Sequence, residues 1–116
     1  MRDCFVLVVD DDPLVRLVLR ETLMEEGFDV CEACDATEAL TLLGLHAEIE
    51  VVVSDIEMPG DLNGISLSWE LTRTLPNVRI ILLSGRTFPG KAELPLGVQF
   101  LKKPVEPTVL LNAVRG

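Results

Sequence analysis

Val8-Val9-Asp10-Asp11-Asp12-Pro13 sets an apolar run directly against three carboxylates and a proline. Residues 4–9 carry the Val, Leu and Phe content of a strand. Asp followed by Pro then opens a helix, because Asp caps the free amides of a first turn and Pro brings no N–H that needs a partner. The stretch therefore reads as strand, tight turn, helix. Helix-start chemistry accounts for Asp12 and leaves Asp10 and Asp11 without a role. Two adjacent anions repel, and the pKa of at least one rises unless a cation or a hydrogen-bond donor offsets the repulsion. A bound divalent metal is the simplest remedy.

Outward from that turn, short apolar runs alternate with helical patterns. The periodicity predicts a helix over 14–26 stopped by Gly27, a strand over 30–34, a helix over 36–43 closed by Gly44, and a strand over 51–54. The near-continuous valine of that third strand implies that both of its faces are covered. Leu67, Leu71 and Leu75 stripe the next helix, which Pro76 ends, and Trp69 is expected on the side of the loop that precedes this helix. Strands over 78–83 and 98–101 follow, then a helix over 107–114. This alternation implies an α/β fold: a doubly wound, five-stranded parallel sheet with right-handed crossovers and helices on both faces. Residues 86–96 break the rhythm. Pro89, Gly90 and Pro95 leave room for little more than one turn, so helix 4, between the fourth and fifth strands, is expected to be short or absent.

Composition bounds what such a domain does. The chain has 116 residues, which suits one domain over 1–116 and one core. No apolar run has the length of a membrane span and the N-terminus lacks the form of a secretory signal, so a cytoplasmic protein is expected. The formal charge of −9 disfavours direct nucleic-acid binding, which needs Lys and Arg against phosphates. Three cysteines, with Cys31 and Cys34 spaced C-x-x-C on a strand where side chains three apart point oppositely, read as reduced core-packing thiols rather than a zinc or redox pair.

Ligands of a doubly wound sheet sit beyond the carboxyl ends of its strands. Those ends carry Asp10 and Asp11 after the first strand, Asp55 after the third, Ser84 after the fourth and Lys103 past the fifth. Each alone has an ordinary structural explanation: a capped turn for Asp55, turn residues in Ser84-Gly85, a solvated pair in Lys102-Lys103. Together they place three carboxylates, a hydroxyl and an ammonium on one rim.

On these residues the chain resembles the receiver domains of bacterial two-component response regulators. The matching pieces are Val8-Val9-Asp10-Asp11, Ser54-Asp55-Ile56-Glu57-Met58-Pro59 with Asn63-Gly64, Leu83-Ser84-Gly85, and Phe100-Leu101-Lys102-Lys103-Pro104. The resemblance implies a flavodoxin-like strand order 2-1-3-4-5. It implies Asp55 as a phosphoacceptor served by a histidine kinase or a histidine phosphotransfer protein. It also implies Mg²⁺ held by Asp10, Asp11, Asp55 and the backbone carbonyl of Glu57, with Lys103 neutralising phosphoryl oxygens. Lys103, directly before Pro104, is the family's lysine position, and its bond to Pro104 is expected to be cis. Ser84 and Phe100 are the implied switch residues; Phe100 has no hydroxyl, which excludes a switch that needs a tyrosine hydrogen bond. Glu57 and Arg86 hold the positions that tune loss of the phosphoryl group, and they are expected to pair across the mouth of the site.

Two departures from the family pattern stand out. The segment from Met58 to Gly64 is one residue longer than the commonest form, so its loop is expected to bulge. The proline-broken helix 4 makes a dimer through that face doubtful and shifts attention to the first or last helix as a partner surface. No effector domain follows Gly116, so output is expected to pass through protein contacts to an unknown downstream target, or the natural chain is longer. A signalling domain that turns over no external substrate is thus the leading expectation. The alternatives are a phosphorylation-independent pseudo-receiver and a haloacid-dehalogenase-like phosphohydrolase. Asp10-Asp11-Asp12 has the latter's D-x-D spacing, but Pro13 starts a helix at once and this length leaves no room for a cap domain.

Overall fold

A computed structural model describes residues 5–116. The elements are β1 (Phe5–Val9), α1 (Pro13–Glu25), β2 (Asp29–Ala33), α2 (Ala36–Leu45), β3 (Ile49–Asp55), α3 (Gly64–Thr74), β4 (Arg79–Ser84), a 3₁₀ turn (Lys91–Glu93), β5 (Gln99–Lys102) and α4 (Pro107–Arg115). All strand pairs are parallel and the sheet order is β2-β1-β3-β4-β5, as expected.

Alternation along the strands builds two cores. Leu7, Val9, Val52 and Leu82 point to one face and meet Ala39 and Leu43 of α2 and Leu67 and Leu71 of α3. Val6, Val8, Val51, Val53, Ile81 and Leu83 point to the other and meet Leu19 and Leu23 of α1 and Leu110 and Val114 of α4. Each such side chain contributes roughly 1.5–3 kcal/mol by leaving water. The sheet is thereby clamped from both sides, and its strand ends are held in fixed register.

The helix ends follow the local chemistry. Asp12 accepts from the Leu14 amide at 2.9 Å to cap α1, with Pro13 in the first turn. Gly27 takes a φ of 92° just past the end of α1, a left-handed conformation that glycine adopts without steric cost. Asp35 and Asn63 cap α2 and α3 in the same way. α3 ends at Thr74, before Pro76.

Two expectations need correction. Gly44 does not close α2, which runs on to Leu45 with His46 as its cap; an isolated glycine weakens a helix by only about 1 kcal/mol and does not break it. Cys34 is no core thiol: it lies past the end of β2 and is exposed, whereas Cys31 is half-buried against the core. Cys4 lies outside the described residues. Between β4 and β5 only the 3₁₀ turn forms, as the prolines imply. No helix among the described residues is long and apolar enough to cross a membrane.

Candidate functional site

The strand register brings the chemistry together. Val9 pairs with Ser54, Asp55 with Leu83, and Ser84 with Lys102, so β1, β3, β4 and β5 end at one rim. Two backbone hydrogen bonds continue the ladder past the strands: the Ile56 amide donates to the Leu83 carbonyl at 3.0 Å and the Lys103 amide to the Ser84 carbonyl at 2.9 Å. Asp55 and Lys103 are thus positioned by backbone, whatever their side chains do.

Asp10 is 1% exposed and both its oxygens have donors. The Asp12 amide reaches Oδ1 at 2.9 Å, and the Lys103 ammonium reaches Oδ2 at 3.2 Å. Asp55 is 6% exposed, and its Oδ1 accepts no hydrogen bond; the Lys103 ammonium 3.3 Å away is an ion pair lacking hydrogen-bond direction. Burial pushes the pKa of Asp55 above the ordinary carboxylate range, Lys103 opposes the rise, and Asp10 adds to it. Burial works the other way on Lys103, but the nearby Asp10 and Asp55 carboxylates outweigh it and raise the ammonium above its usual value. The bond between Lys103 and Pro104 is cis.

Oxygens of Asp10, Asp11 and Asp55 lie within 4.8 Å of one another, with Asp11 exposed. Two ligand oxygens at right angles on an octahedral Mg²⁺ stand about 3 Å apart, so this set closes on such an ion with small side-chain movements. The buried Asp55 Oδ1, which accepts no hydrogen bond, and the all-oxygen donor set fit a small hard cation.

Gly64 permits the close approach behind the site. A Cβ there would lie 2.3 Å from the Asp55 carbonyl oxygen and 2.8 Å from the Ile56 Cα. Only glycine lets α3 begin directly against the end of β3, where its amide donates to the Ile56 carbonyl at 2.9 Å. The intervening loop, 56–63, turns at Gly60 with a φ of 99°.

Ser84 is fully buried, and its hydroxyl donates to the Glu57 carboxylate, whose oxygens lie 2.8 and 2.7 Å away. The amides of Arg86 and Thr87 donate to the same Oγ at 3.1 and 2.8 Å. The expected pairing of Glu57 with Arg86 is not made: no ion pair joins them among the described residues, because the buried hydroxyl, which needs an acceptor, takes the carboxylate. Both still line the cleft with Asp10, Asp11, Asp55 and Lys103. Phe100 is half-buried and packs edge-on to Phe88 with ring centroids 6.1 Å apart. The Lys102 ammonium stands 5.4 Å from the Phe88 centroid, so the two lysines part as their alternation predicts.

Two features escaped the sequence. The Arg16 guanidinium donates to the Asp10 carbonyl at 2.8 Å and to Glu32 at 3.2 Å, bracing the turn that carries the acidic pair. A cation one turn into the helix after an acidic turn is the signal that could have found it. Trp69 is half-exposed and donates its indole N–H to the Glu93 carbonyl at 2.8 Å. It therefore ties α3 to the 3₁₀ turn rather than to the loop that precedes this helix, a contact between distant segments with no local signature.

Comparison with known proteins agrees with this geometry. The response regulator receiver domain profile matches residues 6–115. The chain is 36% identical to the transcriptional regulatory protein AruR of Pseudomonas aeruginosa and 40% identical to protein PetR of Rhodobacter capsulatus. In each case 96% of the chain is aligned with 48% and 47% of the relative, respectively. It thus spans about half the length of these curated relatives. Among solved structures, it superposes on the chemotaxis protein CheY4 of Vibrio cholerae with a TM-score of 0.83 at 28% identity, covering 97% of this chain and 96% of that one. It superposes on the receiver domain of the hybrid histidine kinase CckA with a TM-score of 0.81 at 30% identity, covering 96% and 95%. Profile, sequence and fold converge, and the chain belongs to the response regulator receiver domain family of two-component signalling.

Proposed function

We propose that the domain accepts a phosphoryl group on Asp55 from a histidine kinase or histidine phosphotransfer protein. The observation that carries this reading is the buried Asp55 carboxylate, with one oxygen free of hydrogen bonds, set between two further aspartates and the Lys103 ammonium. A carboxylate oxygen of Asp55 attacks the phosphorus of a phosphoimidazole. The P–N bond breaks, a P–O bond forms, and the imidazole nitrogen keeps the electron pair and takes up a proton. Asp10, Asp11, Asp55 and the Glu57 carbonyl would hold Mg²⁺, which supplies charge neutralisation at the transferring oxygens. Lys103 adds a second cation at the same place, preorganised by its contact with Asp10. The acyl phosphate brings Ser84 toward the modified carboxylate, and Phe100 follows the segment after β4.

We assign α1 as the donor-facing surface. Leu14, Leu17 and Val18 are exposed at helical spacing, and α1 starts at the acidic turn itself. Incubation with acetyl phosphate and Mg²⁺, followed by intact mass spectrometry, should add one phosphoryl mass to the wild type and none to Asp55→Asn. An unlabelled wild type that still binds its kinase would instead establish a pseudo-receiver, and sustained turnover of a phosphate ester would establish a hydrolase.

A further inference from the structure

In the unmodified protein the Ser84 hydroxyl has no hydrogen-bonding capacity left. A hydroxyl offers one donor and two lone pairs. Here the donor goes to Glu57, at 2.8 and 2.7 Å, and the lone pairs to the amides of Arg86 and Thr87, at 3.1 and 2.8 Å. Ser84 is wholly buried, so no water replaces any of these partners without a rearrangement. Asp55 and Leu83 are register partners, so Glu57, two residues past Asp55, and Ser84, one past Leu83, leave adjacent strand ends, where their side chains meet.

We propose that Glu57 is a positioning residue that latches the Ser84 hydroxyl, and that a phosphoryl group on Asp55 has to displace this carboxylate before Ser84 can serve it. The proposal rests on the phosphoacceptor reading of the site. The exchange is one acceptor for another. A phosphoryl group brings a charge near −2 and three strong acceptor oxygens. It competes for the Ser84 proton and repels the Glu57 carboxylate, which is half-buried and swings out to water. Because Thr87 hangs from the same Oγ and Phe88 next to it packs on Phe100, unlatching releases a chain of contacts from the acceptor to the β4–β5 face. The latch therefore sets the balance between the resting and the phosphorylated arrangements. Removing Glu57 therefore favours the phosphorylated state.

The test is a cycle of four proteins, wild type, Glu57→Ala, Ser84→Ala and the double variant, titrated calorimetrically with beryllium fluoride in saturating Mg²⁺. A hydrogen bond to a charged group is large enough for Glu57→Ala to tighten binding about tenfold when Ser84 is present. In the Ser84→Ala background the same change should matter less than about twofold, since no hydroxyl remains to be released. Glu57→Gln, which keeps an acceptor but not the charge, should fall between. Equal factors in both backgrounds would reduce Glu57 to a bystander charge and overturn the latch. Failure of all four proteins to bind would overturn the phosphoacceptor reading itself. Amide exchange without ligand provides a second measurement: Arg86 and Thr87 should exchange faster in Glu57→Ala, and unchanged protection there would equally overturn the latch.

Discussion

Gly64→Ala tests whether the site is built on close backbone contact. The added methyl would lie 2.3 Å from the Asp55 carbonyl oxygen, 2.8 Å from the Ile56 Cα and 3.0 Å from the Asp55 carbonyl carbon. All three are backbone atoms, so no rotamer change relieves the clash. Reaching an ordinary carbon–oxygen contact of about 3.3 Å requires α3 and the end of β3 to part by about 1 Å. Overpacking of this kind costs about 1–3 kcal/mol. Loss of the hydrogen bond from the Gly64 amide to the Ile56 carbonyl adds about 1 kcal/mol. The helix-forming advantage of alanine returns about 0.5–1 kcal/mol. The net destabilisation is about 1–3.5 kcal/mol. For a chain of this length an unfolding entropy near 0.24 kcal/mol/K makes that a fall in Tm of about 4–15 °C. Gly44→Ala is the matched control: it is exposed in α2 with nothing within 4 Å of the added carbon, and should raise Tm by about 2–4 °C. Circular dichroism melts of both variants without Mg²⁺ decide the matter. A Gly64→Ala protein as stable as wild type would refute the close approach of α3 to the acceptor strand, and with it the placement of Asp55.

Other consequences follow from the same geometry. Removing the cation in Lys103→Met leaves the Asp10 and Asp55 carboxylates facing each other, and should destabilise the metal-free protein by about 2 kcal/mol in urea, a loss that added Mg²⁺ partly restores. Stability that does not depend on Mg²⁺ in this variant would count against the shared pocket. Because the folded pKa of Asp55 is raised, its protonated form favours folding: that contribution is complete below the ordinary carboxylate pKa and disappears as pH rises through the folded value. Metal-free wild type should therefore lose stability relative to Asp55→Asn as pH rises from the ordinary carboxylate pKa through the raised folded value, and urea titrations showing the opposite trend would contradict the burial of Asp55 as an anion. Burial, then Glu48, raises the Cys31 thiol to about 11, while Cys34 stands exposed. In a Cys4→Ser background, iodoacetamide at neutral pH should label Cys34 first and Cys31 only on unfolding, as read by peptide mass spectrometry.

Strand and helix positions were legible in the sequence because burial on both faces leaves a short continuous apolar run, and because Asp12, Pro13 and Gly27 mark helix ends through local hydrogen bonding and backbone freedom. Gly44 misled because a glycine marks a helix end only when the chain turns there, and neighbouring packing of Leu42 and Leu43 carried the helix past it. The acidic pair, Asp55, Ser84 and Lys103 were legible as strand-end residues. Their meeting depends only on parallel register, which alternating strands and helices already imply.

By itself, then, the chain's order of residues determined a parallel sheet, its rim and the charged groups standing on it, since those follow from period, caps and crossover handedness. Tertiary structure alone decided who pairs with whom along that rim. Glu57 had Arg86 and Ser84 within its choice, and the buried hydroxyl won because an unpaired polar group inside costs more than an exposed ion pair returns. Arg16 on the Asp10 carbonyl and Trp69 on the Glu93 carbonyl are contacts of the same kind. Side-chain partners across separate elements depend on distances set by packing, and no spacing along the chain records them.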